Sequence, residues 1–261
     1  MILQTIAAAA RARVERSKAR LPLEQIKEAA RSCNCATSFP LEKALNREGI
    51  NFICEVKKAS PSKGLLAADF PYVQIAREYE EAGAAAISVL TEPEYFLGSD
   101  EYLRQIRKEV SIPLLRKDFI VDAYQIYEAR IMGADAVLLI CSLLDTETIR
   151  EYLAVCHELG LSALVEAHDA GEVASALAAG ARLIGVNNRN LKDFSVDINN
   201  SIALRKLVPE KVLFVAESGI KTAAEINALR QARVNGVLIG EILMGSSDKR
   251  KILAELRGEL P

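Results

Sequence analysis

The feature that most narrows the fold is a repeat. From Ile50 onward, eight short apolar runs (FICEV, AAISVL, IPLLR, AVLLI, SALVE, RLIGV, VLFVA and GVLIG) alternate with helix-patterned stretches. Their ends, from Glu55 to Gly240, recur at a mean step of about 26 residues, enough for one strand, one helix and two loops. Strands with almost no polar alternation are covered on both faces, as parallel strands are. Eight such units in 261 residues predict a closed (β/α)8 TIM barrel rather than a doubly wound open sheet.

Helices are predicted between the runs over 72–81, 100–109, 122–132, 145–159, 170–179, 198–208, 222–230 and 248–259. Gly83, Gly133, Gly160 and Gly180 follow four of them, where a left-handed residue commonly ends a helix. Residues 1–49 read as an N-terminal helical extension packed on the barrel, with helices over 2–20 and 23–31 and a turn near 41–46; residues 50–261 form the barrel. Because the barrel's strands are complete without it, the extension is expected to fold over the barrel mouth. Loss of Met1 to Glu48 should then impair turnover more than it unfolds the barrel.

The 33 basic and 35 acidic residues nearly cancel, so no basic field argues for nucleic acid, and small molecules are the expected partners. No apolar run reaches the roughly 18 residues of a membrane helix, and the first 20 residues lack the apolar stretch of a secretory signal. A cytoplasmic protein without a membrane partner is expected, as a monomer or a weakly associating homo-oligomer. Cys33, Cys35, Cys54, Cys141 and Cys156 form no CxxC pair or zinc spacing and read as reduced packing thiols. Neither Asn51, His157 nor His168 has a metal-ligand spacing; His157 reads as a mid-helix surface residue and His168 as a starter of the following helix. No metal and no cofactor is expected.

In such barrels the chemistry sits at the C-terminal ends of the strands, where charges here interrupt the apolar runs. Glu55 and Lys57 end the first run, Lys117 the third, Glu166 the fifth, Asn187 with Arg189 the sixth, and Glu217 with Ser218 the seventh. An internal ion-pair network would satisfy the same groups, but desolvating several charges without function is costly. Residues two apart on a strand share a face, so Glu55 and Lys57 point inward while Cys54 and Val56 face the helices. Glu217-Ser218-Gly219 and Ile239-Gly240-Glu241, after the seventh and eighth strands, place backbone amides where barrels often hold a phosphate.

At these residues the sequence resembles the indole-3-glycerol phosphate synthase family. The matching strings include Met1-Ile2-Leu3 with Ile6, the run from Glu55 to Gly64, Tyr95-Phe96-Leu97-Gly98-Ser99 and Leu115-Arg116-Lys117-Asp118-Phe119-Ile120. They continue through the run from Tyr124 to Arg130, Leu164 to Asp169, Gly185 to Arg189, Glu217 to Ile220 and Ile239 to Glu241. Asn190 stands where the family usually has aspartate, Ala123 where proline is common and Ala167 where a larger aliphatic is common; none of these removes a catalytic group.

The resemblance implies ring closure, decarboxylation and dehydration of 1-(2-carboxyphenylamino)-1-deoxyribulose 5-phosphate to indole-3-glycerol phosphate, without a cofactor. It implies Glu55, Lys57, Lys117, Glu166 and Asn187 as catalytic residues, with Lys117 the acid of ring closure. The roles of Glu55, Lys57 and Glu166 in dehydration stay undivided. Lys57 would also help hold the carboxylate, Ser60 and Phe119 line the pocket, Asn187 and Arg189 position the substrate, and Glu217 contact its sugar hydroxyls. Ser218, Gly219, Gly240 and Glu241 would supply the phosphate loops. A phosphoribosylanthranilate isomerase is the nearest alternative enzyme, but it would not need Lys117 and Glu166 together. A catalytically silent binding barrel is the alternative from another class.

Overall fold

Each of the eight apolar runs is a strand in the computed structural model, which describes residues 2–33, 38–190 and 194–259. Met1 and Cys35 lie outside the described residues. The barrel strands are β1 (Asn51–Val56), β2 (Ala86–Leu90), β3 (Leu114–Lys117), β4 (Ala136–Ile140), β5 (Ser162–Ala167), β6 (Leu183–Asn187), β7 (Leu213–Glu217) and β8 (Gly236–Ile239). All pair in parallel, and β8 closes on β1 with Cys54 opposite Ile239.

The strands carry two apolar layers because successive side chains alternate between the two sides of the wall. Ile53, Leu115, Leu138, Ile140, Leu164, Val215 and Leu238 fill the inside. Phe52, Cys54, Val56, Val137, Val165 and Phe214 pack outward against the helices. Cys54 is thus the core residue that the strand pattern predicts, and Cys33, Cys54, Cys141 and Cys156 are all free thiols.

Helix starts follow local capping chemistry. Ser99, Asp145, Asp169, Thr222 and Asp248 each accept a backbone N–H from the first turn of the helix they open, which sets Asp145 outside its helix rather than within it. Asp122 accepts from Tyr124 N at 2.8 Å, so that helix begins at Tyr124, two residues later than its apolar pattern suggests. Two small elements escape the periodicity: a hairpin of Ala59–Ser60 with Gly64–Leu65, and a single turn, Glu241–Met244. His157 lies exposed in the last turn of its helix, stacked at 5.3 Å on Phe39, rather than at mid-helix.

The helices before β1 are α1 (Ile2–Arg20), α2 (Leu23–Ser32) and α3 (Pro40–Leu45), and they serve opposite ends of the barrel. At the C-terminal end, α1 is tied by Arg13, whose guanidinium lies 3.1 Å from Glu92 and 3.0 Å from Asp118. At the other end, Leu41 and Leu45 of α3 are wholly buried and belong to the inner layer, with Ile53, Leu115 and Leu183. Arg182 grips Glu42 with two hydrogen bonds of 3.0 and 2.9 Å and lies 4.1 Å over the Phe39 ring. Asn51 donates its amide to the carbonyls of Leu45, Arg47 and Asn235, fixing the junction with β1. All eight strands thus lie beyond residue 50, but part of the barrel's inner core comes from α3.

Candidate active site

The inward columns of the strands turn from apolar to charged at their C-terminal ends, and a cavity of about 760 Å³ opens there. Glu55, Lys57, Ser60, Lys117, Phe119, Glu166, Asn187, Arg189, Glu217, Ser218, Gly219, Gly240 and Glu241 all line it. Among the described residues, no group of three or more His, Cys, Asp or Glu side chains is arranged to hold a metal ion.

Lys117 stands at the centre. Its Nζ lies 2.5 Å from Glu217 Oε2 and 3.5 Å from Glu166 Oε2, while Lys57 Nζ lies 2.5 Å from Glu55 Oε1. Three buried carboxylates thus face two ammonium groups, so the cluster has one acid in excess. Burial opposes the charge on Lys117, yet Glu217, Glu166 and Glu55 outweigh it and raise the lysine above its ordinary value. The excess falls on Glu217: burial, with the charges of Glu166 and Glu55, pushes its carboxyl up to about 7 in spite of Lys117. Burial also pushes Glu55 up, but Lys57 and Lys117 bring it net below the usual carboxylate range.

Glu217 gives one carboxylate oxygen, Oε2, to Lys117, while the other, Oε1, is buried without a hydrogen-bond partner. Gly185 makes this possible. A Cβ there would stand 2.2 Å from Glu217 Oε1 and 3.0 Å from Leu164 Cδ1, so β6 needs a residue without a side chain where it passes the carboxylate.

Around the rim, Glu241 lies 3.2 Å from Lys63 and 3.6 Å from Arg189, linking the loops after β1, β6 and β8. The Arg189 backbone N–H donates to Asn187 Oδ1 at 3.0 Å. Ser218 and Gly219 take consecutive positive φ values of 69° and 81°, a sharp turn after β7, and Gly240 precedes the short helix at Glu241 without offering a side chain to its first amides. The apolar wall is built from Phe119, whose ring centroid lies 5.9 Å from that of Phe96, and from Ile2, Leu3 and Ile6 of α1.

Phe96 and Lys63 lie in strings that carried the family resemblance, yet nothing in their spacing assigns them to the pocket. His168 does start a helix, its backbone N–H donating to Glu172 Oε2 at 2.7 Å, but its ring also lies 3.5 Å from Glu166. Ala123 takes φ −56°, the angle a proline would impose, and Ala167 is wholly buried in the outer layer. Asn190 closes its loop by backbone bonds, donating to Ser195 O at 2.9 Å and accepting from Phe194 N at 2.8 Å.

Comparison with known proteins agrees with this geometry. Residues 3–256 match the family model described as indole-3-glycerol phosphate synthase. The chain is 58% identical over 258 residues to the indole-3-glycerol phosphate synthase of Ruminiclostridium cellulolyticum, covering 99% of each chain. It is 53% identical over 271 residues to that of Lachnoclostridium phytofermentans, covering 100% of both. Among solved structures, a 3-hexulose-6-phosphate synthase superposes with a TM-score of 0.64 at 17% identity, over 81% of this chain and 100% of that one. A thiamine phosphate pyrophosphorylase from Pyrococcus furiosus gives 0.59 at 19% identity, over 80% and 94%. These two likenesses concern the barrel alone, whereas the family match spans nearly the whole chain, and the chain belongs to the indole-3-glycerol phosphate synthase family.

Proposed function

We propose that this cavity closes, decarboxylates and dehydrates 1-(2-carboxyphenylamino)-1-deoxyribulose 5-phosphate to indole-3-glycerol phosphate, CO2 and water, in the biosynthesis of tryptophan. The observation that carries the site-level reading is Lys117, half-buried, kept cationic by Glu217 and Glu166, and lining the cavity with the apolar side chains of Phe119 and Ile2. When the ring carbon bearing the carboxylate attacks the sugar ketone, negative charge develops on the former carbonyl oxygen. A buried ammonium supplies both the field and the proton there. Loss of CO2 restores the aromatic ring. Departure of the hydroxyl then needs a proton delivered and a proton removed, and Glu55, Lys57 and Glu166 are the groups at hand, with Lys57 also placed to hold the carboxylate.

Phe119 and Ser60 flank the carboxyphenyl ring, while Asn187 and Arg189 position the sugar. With its carboxylate held by Lys63 and Arg189, Glu241 contributes to the phosphate site through its backbone, beside Gly240, Ser218 and Gly219. Glu217 holds Lys117 through one carboxylate oxygen and contacts the sugar hydroxyls. The reaction is placed in the cytoplasm, on a diffusible phosphorylated substrate, with no cofactor, nucleic acid or membrane partner, in a monomer or a weakly associating homo-oligomer.

Incubating the purified protein with this substrate should give the fluorescence of the indole product. Turnover of phosphoribosylanthranilate instead, or analogue binding without any turnover, would overturn the reading. Sulfate soaked into crystals is expected between Ser218-Gly219 and Gly240-Glu241, and an anion found only on surface arginines would contradict the loop assignment. Gly185→Ala should displace Glu217 from Lys117 and lower kcat by about tenfold or more while costing little stability, because the clash falls on a carboxylate rather than on backbone. Wild-type kcat in that variant would show that Glu217 has slack.

A further inference from the structure

His168 is joined to both a helix and the catalytic cluster. Its Nδ1 lies 3.0 Å from Glu172 Oε2, and Ser142 Oγ, 3.3 Å from the same nitrogen, donates to Glu172 Oε1 at 2.5 Å. A carboxylate oxygen only accepts, so Nδ1 carries a hydrogen. The other nitrogen, Nε2, is sealed from solvent, makes no hydrogen bond, and lies 3.5 Å from Glu166 Oε1. In a neutral ring protonated on Nδ1, a bare lone pair would face the Glu166 carboxylate; in the imidazolium, an N–H faces it. The imidazole is not needed to begin the helix over Ala170–Ala179, because Asp169 caps it and the backbone N–H of His168 is already held by Glu172.

We propose that His168 is a positioning residue for Glu166. Held as an imidazolium by Glu172, its ring orients the Glu166 carboxylate, with one oxygen toward the ring and the other toward Lys117. The charged or titratable groups that bear on it are Glu166 on β5, Glu172 on the following helix and Glu217 on β7; Lys117 on β3 is shared through Glu166. Asn200, from the helix after β6, donates only to its carbonyl. Burial opposes the charge on the ring, but the hydrogen bond to Glu172 and the fields of Glu166, Glu172 and Glu217 raise His168 above the ordinary histidine value. The proposal rests on Glu166 being catalytic, as proposed above. It adds that the orientation of Glu166 is set from behind by a side chain that does not touch the substrate.

The test is kcat and KM for wild type and His168→Gln, with nitrogen NMR of the imidazoles, of which the chain has two. Freeing the Glu166 carboxylate should lower kcat by about tenfold and leave KM within about twofold, because a misplaced catalytic group costs rate more than binding. In wild type the His168 ring should titrate above the ordinary value, and in Glu166→Gln its pKa should drop by about one unit. This second arm decides the matter if His168→Gln fails to fold. Wild-type kcat in His168→Gln, or a His168 titration indifferent to Glu166→Gln, would overturn the proposal. Full turnover by Glu166→Gln would instead remove the catalytic role of Glu166 and leave the His168 coupling to be read by NMR alone.

Discussion

Lys117→Met should lower turnover by at least about 100-fold while a substrate analogue still binds, because a general acid contributes ~100 to 10,000-fold and the phosphate loops do not include this residue. Methionine keeps the length and apolar stem of lysine and removes only the donor and the charge. The carboxylates it leaves behind, Glu217 at 2.5 Å and Glu166 at 3.5 Å, lose their shared cation. Glu217, already pushed up to about 7, is the group that would take up a proton in answer. Steady-state kinetics with analogue titration separates the two effects. Heavy loss of binding with turnover at saturation nearly unchanged would make Lys117 a positioning cation, and the acid would have to be sought at Lys57.

The second large effect concerns stability. Leu41 and Leu45 are fully buried inside the barrel, and a Cβ on Gly236 would stand only 2.7 Å from Leu45 Cδ2, so β8 is shaped around that leucine. A buried Leu→Ala change costs about 2–5 kcal/mol, and a whole domain holds about 5–15 kcal/mol. Leu45→Ala should therefore lower Tm by several degrees, and removing residues through Glu48 should leave a chain that does not fold cooperatively. Removing α1 alone, by contrast, should mainly impair substrate binding, since Ile2, Leu3 and Ile6 line the cavity while the inner core keeps α3. Thermal melts and KM values of the two truncations distinguish these outcomes. A cooperative melt near the wild-type Tm for the longer deletion would show that the barrel does not depend on Leu41 and Leu45.

The barrel was legible because parallel strands buried on both faces must be continuously apolar, and their charged C-terminal ends then stand out. Glu55 and Lys57 could even be assigned a direction, since β1 alternates and Cys54 lies on the opposite face. Which charges meet was not legible. Lys117 and Glu217 are separated by 100 residues, and their contact depends on strand register and tilt across the barrel. Nor was the placement of α3, because an apolar pair one turn apart reads alike whether it packs on the outside of a barrel or fills its floor. Gly185 reads in the sequence like any strand glycine, and only the fold puts the Glu217 carboxylate in the space of its missing side chain. His168 reads as a helix starter because that role is local, whereas its approach to Glu166 follows from the path of the chain as β5 ends.

The account is tested most directly by a crystal structure with an unreactive substrate analogue bound. The phosphate should lie on the amides of Ser218-Gly219 and Gly240-Glu241, the carboxyphenyl ring against Phe119, and the oxygen standing for the sugar carbonyl within hydrogen-bonding reach of Lys117 Nζ. An analogue bound with that oxygen away from Lys117, or with its phosphate outside the two loops, would contradict the assignment of the acid and of the site built around it.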